Sequence, residues 1–107
     1  MISTHILDLS TGSPAAGVRV TLERKAATSW TTVQQELTNP DGRIAFQCPF
    51  EPGIYRLTFG VEAYLSSQGK KPFFLDLPLT FEIADTGRKY HVPLLLSPYG
   101  LSTYRGS

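Results

Sequence analysis

Cysteine is nearly missing from this chain: Cys48 is the only one among 107 residues. An internal disulfide is therefore excluded, and a reducing compartment, the cytoplasm, is the expected setting. Histidine is scarce too, with two in the chain. Without clustered carboxylates, these few donors make no ligand set, so neither a metal nor a cofactor is expected. Charged residues are only 18% of the chain, and the net charge is +1 without any basic run. That leaves no electrostatic footprint for nucleic acid. No apolar run approaches the roughly 18 residues of a membrane helix. Nothing at the start has the basic-then-apolar order of a leader, so no membrane partner is expected. Repeats and low-complexity tracts are absent as well.

What remains is a globular composition, with 41% of residues apolar. A chain of 107 residues fits one domain spanning residues 1–107 and can bury roughly two thirds of its unfolded surface. The dominant pattern has period two. Ser3 to Leu9 reads as a strand with Ser3, His5, Leu7 and Leu9 on one face and Ile2, Thr4, Ile6 and Asp8 on the other. Val18, Val20 and Leu22 alternate with polar residues. Trp30 to Leu37 is a more polar strand that belongs near an edge. Asn39-Pro40-Asp41-Gly42 is the clearest turn, closing a hairpin with proline presetting one φ and glycine taking the positive one. Arg43 to Gln47 returns from it, with Arg43 at the flank. Tyr55, Leu57 and Phe59 form another alternating set, as do Leu79, Phe81 and Ile83.

Val61 to Gln68 is the single helical candidate, about two turns long, with Val61, Tyr64, Leu65 and Gln68 on one face and Gly69 suited to its end. Pro72 and Pro78 bracket an extended connection. Tyr90 to Ser97 is apolar on both faces, and Leu101 to Tyr104 is a last short strand. About eight strands, one short helix and frequent turns predict an all-β sandwich of two antiparallel sheets. Pro93 is out of place for a central ladder position, so its strand should lie where that amide is not needed or beside another subunit. Apolar residues on both faces of the same strand also point to an interface.

The final stretch carries the most chemistry. A terminal tail is usually polar and mobile, but this one holds His91, three tyrosines and Arg105, which stands two residues before Ser107 and the terminal carboxylate. Histidine suits general acid–base work near neutrality, and a guanidinium gives a planar fork for an oxyanion. Taken singly, each residue has an ordinary reading. His5 is a surface histidine, Arg43 a solvated hairpin flank, His91 the cap of a core strand, and Arg105 a partner for the terminus.

Taken in order, the residues match something specific. Ser3-Thr-His5-Ile-Leu-Asp8, Gly12-Ser-Pro14-Ala15, Asp41-Gly42-Arg43, Tyr90-His91-Val-Pro-Leu-Leu-Leu-Ser97 and Ser102-Thr-Tyr-Arg-Gly-Ser107 together resemble the 5-hydroxyisourate hydrolases. These are the transthyretin-related enzymes of urate breakdown, and the resemblance covers essentially the whole chain. The terminal Tyr-Arg-Gly-Ser is diagnostic, because hormone-carrying transthyretins lack it. Leu75 stands where the family usually has proline, and Leu101 where it has tyrosine.

The resemblance implies a transthyretin (prealbumin)-like sandwich of two four-stranded antiparallel sheets with one short helix. It implies a homotetramer, a dimer of dimers, with sites in a groove between dimers. The implied reaction is hydrolysis of 5-hydroxyisourate to 2-oxo-4-hydroxy-4-carboxy-5-ureidoimidazoline. His5, Arg43, His91 and Ser107 would be catalytic, and His5, Arg43, Tyr104 and Arg105 would hold the substrate. His5 and Arg43 are then expected as base and anchor, with His91 orienting water or protonating the leaving nitrogen. The alternatives are a transthyretin-like carrier of a small hydrophobic ligand and a non-catalytic β-sandwich binding module. Three polar side chains argue against the first, since an apolar ligand gains nothing from desolvating them.

Overall fold

The computed structural model describes residues 1–48 and 50–107. In chain order it comprises β1 (Ile2–Asp8), β2 (Ser13–Pro14), β3 (Arg19–Ala26), β4 (Ser29–Leu37), β5 (Arg43–Phe46), β6 (Gly53–Gly60), α1 (Val61–Ser67), β7 (Asp76–Ile83), β8 (Tyr90–Leu96) and β9 (Leu101–Thr103). One sheet runs β2-β1-β8-β9 with β5 also pairing β1, and the other runs β4-β3-β6-β7. This is the expected two-sheet sandwich with one short helix. The first sheet differs from the expectation in two details: it includes the short strands β2 and β5, and its central pair β1–β8 is parallel.

The alternating pattern decides which face turns inward. Ile2, Thr4, Ile6 and Asp8 of β1 are buried, while Ser3, His5 and Leu7 are half-buried on the other face. Val20 and Leu22 of β3, Leu57 and Phe59 of β6, and Leu94 and Leu96 of β8 meet Ile2 and Ile6 between the sheets. Each such side chain contributes about 1.5–3 kcal/mol by leaving water. Edge strand β4 stays largely exposed, as its polar sequence predicts.

Helix α1 buries Val61, Tyr64 and Leu65. Gln68 lies one residue past its end and is exposed. Gly69 takes φ +72° there. The helix is tied to β1 by the Tyr64 hydroxyl, which donates to Asp8 Oδ2 at 2.8 Å. Burial alone would raise the Asp8 pKa, but hydrogen bonds from Ser10 and Tyr64 bring the carboxyl below its usual range. The buried Tyr64 phenol beside it is pushed up to about 12.

Two expectations need correction. The Asn39–Gly42 turn does not close a hairpin between β4 and β5. It carries the chain from one sheet to the other, and β5 pairs antiparallel with β1. The cause is the apolar pair Ile44 and Phe46, which β5 buries in the common core. Pro78 lies inside β7 rather than bounding a connection. Because β7 is an outer strand of its sheet, the missing amide proton there is tolerated.

Candidate active site on the outer face of the first sheet

The site is built from β1 outward. His5 projects from the half-buried face because its neighbours Thr4 and Ile6 are claimed by the core. Across the antiparallel pair it faces Arg43, and across the parallel pair it faces Pro93. Two residues back along β1, Ser3 faces His91 of β8. Strand pairing alone therefore sets Arg43, His5, Ser3 and His91 on one patch of a single sheet face.

Arg43 is placed by the turn that precedes it. Gly42 has φ +72°, and a Cβ there would lie 2.6 Å from the Ile6 carbonyl oxygen. Only glycine lets the turn dock this closely on β1. The Gly42 carbonyl accepts the Ile6 amide at 2.8 Å, and Asn39 Oδ1 accepts the amides of Asp41 and Arg43. The turn residues recognisable in the sequence thus fix where the guanidinium begins.

His91 is held from two sides. Its Nδ1 lies 2.8 Å from Ser3 Oγ. On its other edge the backbone of Gly106 approaches so closely that a Cβ there would sit 2.7 Å from the ring Cδ2. The Gly106 amide donates to the His91 carbonyl at 2.7 Å. Burial lowers the His91 pKa below its ordinary 6.5, and the charges of Arg43 and His5 lower it further, against a contact with the Ser3 backbone that raises it. The shift favours the uncharged ring at neutral pH.

Pro93 explains the path of the tail. The register that pairs Leu94 with Thr103 also brings His91 opposite Gly106, which puts Tyr104 opposite Pro93. Proline has no amide proton to give Tyr104, so the ladder lapses there. Thr103 Oγ donates to the Pro93 carbonyl at 2.8 Å instead. The chain then closes again on His91 at Gly106. Pro93 is thus central in the sheet, at the one ladder position where the tail loosens.

Ser3, Asn39, Arg43, Lys89, His91 and Ser107 line a shallow depression of about 540 Å3. No group of three metal-ligating side chains occurs among the described residues. Of the expected site residues, Arg43, His91 and Ser107 lie in this depression, and His5 is their neighbour by strand pairing. Tyr104 and Arg105 do not join them within one chain. They line a second depression of about 320 Å3 beside β7, with Val92 and Phe81. Ser3 and Lys89 were not singled out from the sequence. The period-two pattern of β1 already placed Ser3 on the His5 face, whereas nothing in the sequence marks Lys89.

The arrangement offers two imidazoles to move protons, a guanidinium to hold an anionic oxygen and a hydroxyl beside one ring. Such a set suits water addition to a polarised carbonyl. The chain matches a family model described as "HIUase/Transthyretin family" over residues 2–106. A 5-hydroxyisourate hydrolase of Salmonella dublin is 47% identical over 110 residues, covering 100% of this chain and 81% of the relative. Among solved structures, the 5-hydroxyisourate hydrolase of Klebsiella pneumoniae is similar with a TM-score of 0.87 at 42% identity, over 99% of this chain and 98% of that one. Sea bream transthyretin, solved in complex with thyroxine, has a TM-score of 0.93 at 31% identity, over 98% of this chain and 93% of that one.

Proposed function

This chain belongs to the HIUase/Transthyretin family, and from that premise we infer that it hydrolyses 5-hydroxyisourate. The fold alone does not separate the enzyme from the carrier, because both neighbours share it. The observation that carries the enzymatic reading is the polar patch: His5, Arg43, Ser3 and His91 on one sheet face. A pocket for a hydrophobic hormone would have to desolvate all of them without return.

In this reading the base is His91 rather than His5, the residue the sequence suggested, because burial and neighbouring charge favour its neutral ring. It takes a proton from water as the oxygen adds to a ring carbonyl of the substrate. The carbonyl electrons move to its oxygen, and the Arg43 fork binds the resulting anion. His5, on the strand between Arg43 and β8, holds the substrate edge. Collapse of the adduct breaks the ring carbon–nitrogen bond, and the proton taken by His91 returns to the departing nitrogen. The acyl half becomes a carboxylate. Ser107 contributes its hydroxyl at the rim of the depression.

Tyr104 and Arg105 complete the substrate contacts in this proposal by reaching a site shared between subunits of a homotetramer, a dimer of dimers. Leu7 and Leu95 are half-buried on the site face, and Tyr99 is 74% exposed. Those apolar groups support burial against another copy. The lone Cys48 fits a cytoplasmic setting.

The test is the ultraviolet decay of freshly made 5-hydroxyisourate with and without protein. Acceleration is expected, and decay at the spontaneous rate would refute the hydrolytic reading. Light scattering should give the mass of four chains at micromolar concentration; a monomer would remove the shared site.

A further inference from the structure

Two contacts at His91 do more than fill space. Ser3 and His91 face each other across parallel strands, and Ser3 Oγ lies 2.8 Å from the ring Nδ1. Gly106 closes the opposite edge, with any Cβ there brought to 2.7 Å from Cδ2 and 3.3 Å from Cγ. Ser3 therefore occupies one ring nitrogen, and Gly106 bounds the carbon edge next to the other. Nε2 has no hydrogen-bond partner among the described residues.

A neutral imidazole carries its proton on one nitrogen, and the partner of the other nitrogen decides which. The hydroxyl of Ser3 can accept or donate, so the surrounding charges settle the direction. The charges that act on the ring are His5 on β1 and Arg43 on β5. Lys89, the Met1 ammonium and the Ser107 carboxylate line the same depression, so cations outnumber the single anion there. Arg43 and Lys89 are cations on the wall of the same depression. An N–H aimed among cations is disfavoured, and a lone pair there is favoured.

We propose that Ser3 is a positioning residue that accepts the Nδ1–H bond of His91, fixes that tautomer and leaves the Nε2 lone pair free for the attacking water. The assignment deepens the hydrolytic reading above and depends on it for its kinetic consequence, but the hydrogen bond itself can be measured without any substrate. Removing Ser3 leaves the ring between the same strands, but its tautomer is no longer fixed.

The experiment uses proton–nitrogen NMR of the isotope-labelled full chain at about pH 8, where the ring is neutral. The sequence has two histidines, so a His5→Asn variant assigns the remaining ring as His91. The expected spectrum shows the proton on Nδ1 in the parent, a tautomer mixture in Ser3→Ala, and the parent pattern again in Ser3→Thr, which keeps the hydroxyl. In the kinetic arm, Ser3→Ala should lower kcat by roughly ten- to hundredfold, as loss of an orienting partner does at other histidines, with KM little changed. Its acid limb should move to lower pH, because the lost hydrogen bond favours the protonated ring. Ser3→Thr should recover most of the rate. A proton on Nε2 in the parent, or an identical His91 spectrum in Ser3→Ala, overturns the proposal. A parent that leaves 5-hydroxyisourate decay unchanged overturns the hydrolytic reading instead, and the spectra still decide the role of Ser3.

Discussion

Arg56 and Arg43 stand on opposite outer faces of the sandwich, and their surroundings differ in kind. Arg56 reaches Glu23 through Nε and Nη2, both at 2.9 Å, and its guanidinium lies 4.2 Å from the centre of the Trp30 ring. Arg56 in turn holds the Glu23 carboxyl below its usual range. With two prongs and a face occupied, that guanidinium has little left for a ligand. Arg43 has no carboxylate within ion-pair distance among the described residues, where the two ion pairs are Arg24–Glu51 and Arg56–Glu23. Its charge instead bears on His91. Of these two arginines, the paired one belongs to the scaffold and the unpaired one to the candidate site.

That contrast can be broken by substitution, and the histidines should give the largest effect. His91→Asn and His5→Asn keep a polar side chain but lose the titrating ring. Each is expected to slow 5-hydroxyisourate turnover at nearly unchanged Tm, His91→Asn by about 10²-fold or more, the usual size of acid–base assistance, and His5→Asn through loss of its hold on the substrate edge. Activity within a fewfold of the parent would place the chemistry elsewhere.

Arg43→Lys comes next. It keeps the charge and discards the planar fork, and should cost about tenfold or more in kcat if directed hydrogen bonds matter. Full activity in this variant would reduce Arg43 to a local charge. Gly106→Ala should cost about tenfold, since the added Cβ must push the His91 ring from its place and small displacements of a catalytic group are expensive. Circular dichroism should show an intact fold. A fully active Gly106→Ala enzyme would mean that the ring position is not critical.

The pH profile is a smaller effect with a definite sign. A protonated His91 must sit half-buried beside the Arg43 cation, so its pKa lies below 6.5. The rate should hold from alkaline pH down through about 6.5 and fall only below it. An acid limb centred above 6.5 would contradict His91 as the base. Arg56→Gln is the matched control on the other face. It should lower Tm by a few degrees, because Glu23 loses its partner, and leave turnover as it was.

The sequence made some of this plain and hid the rest for physical reasons. The alternation in β1 set His5 on one face with Ser3, leaving the structure to show which face turns inward, and Asn39-Pro40-Asp41-Gly42 located Arg43. Both are local signals, carried by neighbours in the chain. The pairing of β1 with β8 is not local: Ser3 and His91 are 88 residues apart, and no periodicity states that two strands run parallel. The same limit hid the fate of the tail. Spacing places Tyr104 and Arg105 beside Ser107, but the strand register sends them toward the second depression, away from His91. Pro93 was legible as an anomaly, yet its meaning, a gap in the ladder opposite Tyr104, needed the partner strand. The β4-to-β5 connection was misread as a hairpin because turn chemistry says that the chain bends and not which sheet it joins next.

The parallel pairing of β1 with β8 has a consequence for biosynthesis. At roughly 5–20 residues per second, β1 emerges on the order of ten seconds before the strand that will cover its side. Through that interval one edge of β1 has open amides and carbonyls, with Ile2 and Ile6 on the face that will become core. Such an edge is a template for unwanted pairing. Nascent chains stalled ahead of Tyr90 should therefore be cut by protease within β1 and captured by holding chaperones, whereas chains extended past Leu96 should resist both. Protection at β1 before β8 is made would show that β2 and β5 shield it sufficiently by themselves.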